Sequence, residues 1–402
     1  MDMTQSSDRI RTTHAGSLPR PPDLLELLQD RAAGRPVDSD VLQQRVRRAV
    51  ADAVRRQAEA GIDVVSDGEM SKIGFANYVQ DRMTGFGGEP TTVPAASDVA
   101  EFPDLAARMY ASGQSAGRMP RPGNDAAISY TGREQLATDL ENFSDALAVV
   151  AVEGGFLPAA SPGCVVQIMR SSYYPDRRAY LYALAQALRE EYRAIVEAGF
   201  TLQVDCPDLA MGRHWEFASA TLAEFRANLE LHVEALNYGL EGIDPERVRV
   251  HVCWGNYPGP HHRDVELRDI LDVVYRVRAS GISIEAANPR HEHEWAVFVE
   301  RPLPVGKYLI PGVIDSCTNY IEHPEVVAQR IVRFAQVVGR ENVVAGTDCG
   351  FSTFAGFSAV VPEIAYAKLA SLAEGARILK ERFLGCCMNS KGEMDPSTDC
   401  QW

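Results

Sequence analysis

The sequence predicts an α/β fold: a single (β/α)8 barrel, the TIM-barrel architecture, spanning residues 1–402 with one insertion after its second strand. Three observations carry that expectation. Eight apolar, β-branched runs recur along the chain, and each ends in polar residues or glycine. Amphipathic stretches of helical length separate most of them, as in 176–200, 265–281 and 324–339. Strand–helix units in such a succession close into a parallel barrel whose active site lies at the strand C-terminal ends.

The elements follow in order. The first run, IRTTHAGS (10–17), and the second, GIDVVSDGE (61–69), both pass from apolar residues to a polar end. The third, GFLPAASPG (155–163), is the least regular, because Pro158 and Pro162 disfavour a central strand. FTLQVDCPD (200–208) and RVRVHVCWGN (247–256) come next, the latter alternating with period two. GISIEAANP (281–289), YLIPGVIDSC (308–317) and VVAGTDCGF (343–351) complete the set. Residues 86–150 fall outside the repeat. Glycine- and proline-rich sequence there (GFGGEPTTVPAASD, MPRPGND) precedes a helical stretch, REQLATDLENFSDALAVV, and the whole reads as an insertion able to cover the barrel mouth as a lid. The tail, 388–402, is polar and expected to be flexible.

Composition narrows the class of function. A net charge of −15 excludes nucleic acid and anionic membrane surfaces as partners, since both require basic footprints. The first ten residues carry no apolar secretory core, and no stretch is apolar enough to span a bilayer. Eight cysteines without regular spacing read as reduced thiols of a cytoplasmic protein.

Two of those cysteines attract attention. In the fifth run His251 and Cys253 stand two residues apart, hence on one face, where an apolar pattern should continue. The sixth run ends in Glu285 and the eighth in Cys349. One imidazole, two thiols and a carboxylate, all at strand C-terminal ends, converge at the barrel mouth. That donor set suits tetrahedral Zn2+, and thiolates disfavour magnesium and calcium. A His-x-Cys pair alone is more commonly core packing, because free cysteine is among the most buried residue types. The glutamate of SIEAANP and the cysteine of GTDCGF, at matching strand ends, turn the pair into a metal site.

HVC, SIEAANPR and GTDCGF, in this order, resemble the zinc-binding barrel of cobalamin-independent methionine synthase. The likeness runs along most of the chain. THAGSLPRP is similar to the family's first strand motif, VSDGEMSKIGFANYV to its second and LQVDCPDLA to its fourth. It is nearest the short branch, in which one barrel stands without the second barrel of the full-length enzymes. The resemblance implies that His251, Cys253, Glu285 and Cys349 hold Zn2+, and that a thiol kept deprotonated by the metal is alkylated. It further implies methyl transfer to homocysteine, giving methionine, with the amino-acid portion held by Ser17, Glu69 and Asp205. That assignment is chemically sound, since an α-ammonium needs carboxylate acceptors and a serine hydroxyl can serve the α-carboxylate. Ordinary structural roles exist too: Ser17 as a turn residue before Pro19, Glu69 as a helix cap. Asp67, His14 and Asp315 are further substrate-binding or catalytic candidates at the same end, or supports for the ligands.

Two positions depart from the family pattern. Cys317, in GVIDSCTNY, stands where the full-length enzymes carry a histidine that protonates the folate leaving group. Cys206 replaces a second acidic residue after Asp205. Each is either a small buried thiol or a change to the donor pocket. The related epoxyalkane:coenzyme M transferases open an epoxide by the same zinc logic. Another thiol, or another alkyl donor such as a methyl-corrinoid protein, is therefore the nearest alternative. A non-catalytic zinc-binding barrel is a rival of a different class. Glu69 and Asp205 favour an amino-acid thiol, because two carboxylates repel a sulfonate. His261 and His262 offer no second metal, since neighbouring side chains diverge. HEHE (291–294) lacks the His-Glu-x-x-His spacing and reads as a helix start, and Cys386 and Cys387 have no metal spacing.

Overall fold

The computed structural model describes residues 9–91, 95–111, 121–356 and 358–387. The 388–402 tail lies outside the described residues. Ten strands form among them: β1 (Arg11–Thr12), β2 (Val64–Ser66), β3 (Gly88–Thr91), β4 (Arg121–Gly123), β5 (Gly154–Ala160), β6 (Thr201–Asp205), β7 (Val248–Val252), β8 (Gly281–Ile284), β9 (Tyr308–Ile314) and β10 (Val344–Thr347). Eight pair in parallel in the order β1-β10-β9-β8-β7-β6-β5-β2, while β3 and β4 form a separate antiparallel pair. This is the expected eight-stranded barrel. None of the described helices is long and apolar enough to cross a membrane.

The barrel closes between β1 and β2 by side chains in place of a ladder. Asp63 Oδ2 accepts the Thr12 N–H at 2.8 Å and the Thr12 hydroxyl at 3.0 Å, and Thr13 Oγ1 donates to the Val64 carbonyl at 2.9 Å. Above them Ser66 Oγ donates to the Gly16 carbonyl at 3.0 Å, and the Leu18 N–H to the Gly68 carbonyl at 3.1 Å. β5 tolerates Pro158 for a local reason. The last β2 pairing is Ser66 with Phe156, so Pro158 lies beyond the end of that neighbour, where its missing N–H costs no ladder bond. Pro162 opens the helix Pro162–Ile168, which Ser161 caps through the Cys164 N–H.

Alternation along each strand sorts side chains into layers. Val248, Val250 and Val252 of β7 join the large core that the helices cover. The barrel interior is plugged at its base by Val64, Phe156, Tyr308, Ile310 and Val344. Above that plug lies Arg249, fully buried. It donates to Gln203 Oε1 (2.8 Å), Thr13 Oγ1 (3.0 Å) and the His14 carbonyl (2.8 Å), and it lies 3.5 Å over the Phe156 ring. Burial pushes its pKa down to about 10.

The chain between β2 and β5 divides in two. The β3–β4 pair and the helices Ser97–Ala100 and Pro103–Ala111 precede the longer helix Arg133–Leu147. That helix lies against the outer face of the barrel. Its Phe143 meets Phe200 with ring centroids 4.9 Å apart, and Gly155 of β5 leaves room for Phe143 and Leu147.

Candidate metal centre and the cavities beside it

On β7 and the residue after it, period two places Arg249, His251 and Cys253 on the inward face. His251 Nδ1 lies 3.2 Å from Ser283 Oγ of β8, while its buried Nε2 has no hydrogen-bond partner among the described residues. Burial, reinforced by Arg249, pushes the imidazole pKa down to about 3, leaving a neutral ring with a free lone pair. Cys253 and Cys349 bring their sulfurs to 3.6 Å. The ligand atoms of His251, Cys253 and Cys349 all lie within 4.8 Å of one another. Two sulfurs bonded to one tetrahedral zinc at about 2.3 Å stand about 3.8 Å apart. The three residues therefore fit that ion. The contact with Cys349, followed by burial, pushes the Cys253 thiol well up, so the two thiols need a cation to ionise together.

Glu285 stands beside this trio, outside the 4.8 Å cluster. Its Oε1 accepts the Trp254 N–H at 2.7 Å and its Oε2 accepts Asn288 Nδ2–H at 2.9 Å. Burial raises its pKa well above the usual range, and the nearby Cys253 adds to the rise. Asp348, next to Cys349, binds the loop that carries Glu285. Its Oδ1 takes the N–H groups of Ala286 and Ala287 at 2.8 Å, and its Oδ2 that of Asn288 at 2.9 Å. Gly312 is what lets Asp348 in, since a Cβ there would lie 2.2 Å from Asp348 Oδ1.

Ser17, Glu69 and Asp205 line one cavity of about 200 Å³ together with His251, Cys253 and Cys349. Glu69 occupies the left-handed region at φ 58°, a cost that clusters at functional sites. Asp67 explains how the turn is held: its Oδ1 accepts the Glu69 N–H at 2.9 Å, and Arg20 donates to the Glu69 carbonyl at 2.8 Å. Glu69 Oε2 is buried without a hydrogen-bond partner among the described residues. Asp205 accepts Gln203 Nε2–H at 2.8 Å. Burial raises the pKa of both carboxylates, and the Glu69 charge raises Asp205 further. Lys72 pulls both the other way, and Arg20 does so for Glu69. Ser17 packs so closely on the loop after β10 that a Cβ on Gly350 would lie 2.0 Å from its Oγ.

The remaining candidates separate. Asp315 and Cys317 line a second cavity of about 230 Å³, on the side of Glu285, Asn288 and Cys349. The Asp315 Oδ1 accepts the N–H groups of Cys317 (2.9 Å) and Thr318 (2.7 Å), which makes it a turn holder. Cys317 Sγ donates to Asn256 Oδ1 at 3.2 Å, and burial keeps the thiol protonated well above its usual range. His14 lines neither cavity. Its Nδ1 accepts the Gly16 N–H at 3.1 Å, its Nε2 donates to Gln57 Oε1 at 2.7 Å, and burial pushes it to about 3. Both nitrogens are spent inside the wall, so it has no proton for a substrate. Asp67 likewise lines neither cavity and acts through Glu69. Cys206 is fully buried and lines neither cavity.

Sequence reasoning missed Asn256 and Tyr257, which line both cavities, and Trp254 and Asn288, which hold Glu285. WGNY follows the candidate ligand Cys253 directly, which was the available signal. His261 and His262 diverge as expected, to Asp264 Oδ2 (3.0 Å) and Glu101 Oε2 (2.9 Å). His291 bridges Asp264 and Glu294 ahead of the helical turns from Glu294. The side chains of Cys386 and Cys387 lie outside the described residues.

A family model for the cobalamin-independent synthase catalytic domain matches residues 10–94 and 163–370. The methionine synthase of Saccharolobus solfataricus is 24% identical over 383 residues, covering 92% of this chain and 95% of the relative. That of Sulfurisphaera tokodaii is 25% identical over 385 residues, covering 95% and 96%. Among solved structures, a B12-independent methionine synthase from Shewanella sp. W3-18-1, in complex with selenomethionine, superimposes with a TM-score of 0.69. It is 20% identical, with 94% of this chain and 99% of that one covered, and shows the shared fold.

Proposed function

The chain belongs to the cobalamin-independent synthase catalytic-domain family, and from that premise we propose that it is a zinc-dependent methyltransferase that methylates the thiol of homocysteine. One observation carries the reading: a His-Cys-Cys trio fit for zinc shares a single cavity with two carboxylates whose burial disfavours their charge. The names of its relatives agree. Held by His251, Cys253 and Cys349, with Glu285 in reach as a fourth donor, Zn2+ would keep an incoming thiol deprotonated at neutral pH.

The chain's own groups do the rest. Glu69 and Asp205 take the α-ammonium, whose positive charge lets both stay ionised. Ser17 offers its hydroxyl to the α-carboxylate. Trp254 and Asn288 hold Glu285 close to Cys253, ready to exchange hydrogen bonds for metal. The insertion acts as a lid: Val99, Met109 and Arg121 line the acceptor cavity. The donor comes from the second cavity. There Cys317, a thiol held protonated, is a weak acid for a folate nitrogen, which favours a donor needing no such help, such as a methyl-corrinoid protein. Facing thiols also need a reducing setting, so the reaction is assigned to the cytoplasm.

The test is metal analysis of the purified chain, followed by methionine formation from homocysteine and methylcobalamin. Bound zinc with no thiol-dependent proton release and no methionine would refute the reading and support a non-catalytic zinc barrel.

A further inference from the structure

The cavity that Ser17, Glu69 and Asp205 share with the metal trio is lined in part by residues outside the family match, and Arg121 is one of them. Among the described residues that line it, Arg121 is the one lysine or arginine. It opens β4 and is 2% exposed, with its guanidinium 5.5 Å from the centre of the Phe354 ring. Phe75, Met109, Trp215 and Phe354 make much of the remaining wall apolar. Burial lowers the pKa of the guanidinium, because a charge held there has lost its water.

The strand that presents Arg121 is fastened just beyond its end. β4 pairs with β3, with Arg121 opposite Thr91. Three residues on, the buried Asn124 ties the chain to the segment after the helix Pro162–Ile168. Its N–H donates to the Arg170 carbonyl at 2.8 Å, and its Oδ1 accepts the Ser171 hydroxyl at 2.6 Å. Its side-chain amide donates to the carbonyls of Gly85 and Ala126, both at 2.8 Å. Arg121 is thus carried on a held element, as precise recognition requires.

A zwitterionic amino acid brings two charges into this cavity, and the acceptor reading gives them unequal partners. The ammonium has Glu69 and Asp205. The α-carboxylate has the Ser17 hydroxyl alone, and an ionised carboxylate is costly to take from water into a mostly apolar cavity without a counter-charge. A guanidinium supplies that charge, with a planar fork that matches both carboxylate oxygens. We propose that Arg121 is a specificity-determining residue that binds the α-carboxylate of the acceptor, so that the insertion selects amino-acid thiols over simple amine thiols. The proposal rests on the reading that the acceptor occupies this cavity.

The test compares two thiols that differ only in the carboxylate, homocysteine and 3-aminopropanethiol. Calorimetric titration of the full chain as purified should find homocysteine bound more tightly by about tenfold or more, the weight of hydrogen bonds to a charged group. In Arg121→Met that preference should shrink to within about threefold, through weaker homocysteine binding, while 3-aminopropanethiol binds as it does to the wild type. Equal weakening of both thiols would assign Arg121 to the fold alone and overturn the proposal. An undiminished preference would overturn it too. A second measurement needs no variant. Phenylglyoxal labelling of Arg121 in the wild type, read by peptide mass spectrometry, should be slowed far more by saturating homocysteine than by saturating 3-aminopropanethiol. Equal protection by the two would overturn the proposal. A wild type that binds neither thiol would refute the functional reading and this proposal with it, whereas the other adverse outcomes refute this proposal alone.

Discussion

An Asp205→Asn variant separates a binding role from a structural one, because the two make predictions of opposite sign. The carboxylate is buried, its pKa is raised by burial and then by Glu69, and it accepts Gln203 Nε2–H at 2.8 Å. An amide of the same shape keeps that acceptor and removes the charge. In the folded state the carboxylate binds its proton more tightly than in the unfolded chain, where its pKa is about 3.9. Its ionisation therefore works against folding increasingly as pH rises above that value. Removing it at neutral pH should stabilise the chain by about 1–2 kcal/mol, the common gain when a strained site group is relieved. That amounts to about 1–3 °C in the melting midpoint for a chain of this size. Homocysteine binding should move the other way. Losing one of two desolvated acceptors for the ammonium costs about 2–5 kcal/mol, a rise in Kd of about thirtyfold or more. Calorimetric titration with homocysteine and a melting scan at the same pH measure both effects. Affinity retained within about threefold, or a lowered midpoint, would refute the argument that Asp205 is kept for the ligand.

The same dyad gives a pH dependence. Both carboxylates have raised pKa values, so homocysteine affinity should fall as pH drops and protonates them, and a thiol lacking the amino group should show less of this loss. Metal analysis should find zinc lost in Cys253→Ala and Cys349→Ser. Glu285→Gln should retain more of it, since the clustered donors His251, Cys253 and Cys349 all remain. Chelation should abolish turnover while far-ultraviolet circular dichroism stays native, because the barrel core does not depend on the site. Methylfolate should be a poor donor for the wild type beside methylcobalamin, and Cys317→His should improve it; efficient wild-type turnover with methylfolate sinks that account. His291, raised to about 10 by Asp264 and Glu294 against the penalty of burial, supplies stability that is full below pH 6.5 and lost as pH rises toward 10. Melting midpoints of His291→Gln should be flatter over that range than those of the wild type.

Strand ends were legible because alternation is a local signal: R-V-R-V-H-V-C states which residues face inward before any neighbour is known. The same rule brought Cys349 and His251 to one point once eight strands were counted. Pro158 was harder to read, since its tolerance depends on β2 stopping at Ser66, a fact about another segment. The fate of Glu285 was hidden for a similar reason. Its partners, the Trp254 N–H and Asn288, are set by two loops, and neither leaves a mark in composition. His14 looked like a mouth residue by position, yet Gln57, on a helix outside the barrel, claims it. The buried Asp98 accepts the Tyr257 O–H at 2.9 Å, a pairing across 159 positions that no periodicity announces.

The side-chain seam between β1 and β2 gives the acceptor site a further property. Ser17 follows β1 and Glu69 follows β2, so the groups proposed to hold one amino acid stand on opposite banks of the seam that no ladder bridges. Every other neighbouring pair of barrel strands is joined by a ladder, and this pair by hydroxyls, a carboxylate and the single main-chain bond from Leu18 to Gly68. An amino acid gripped in that proposed way, by its carboxylate on one bank and its ammonium on the other, would be one more rung, supplied by the solution. Its arrival would tighten the seam, and its departure as a methylated product would relax it at the place where the next acceptor must enter.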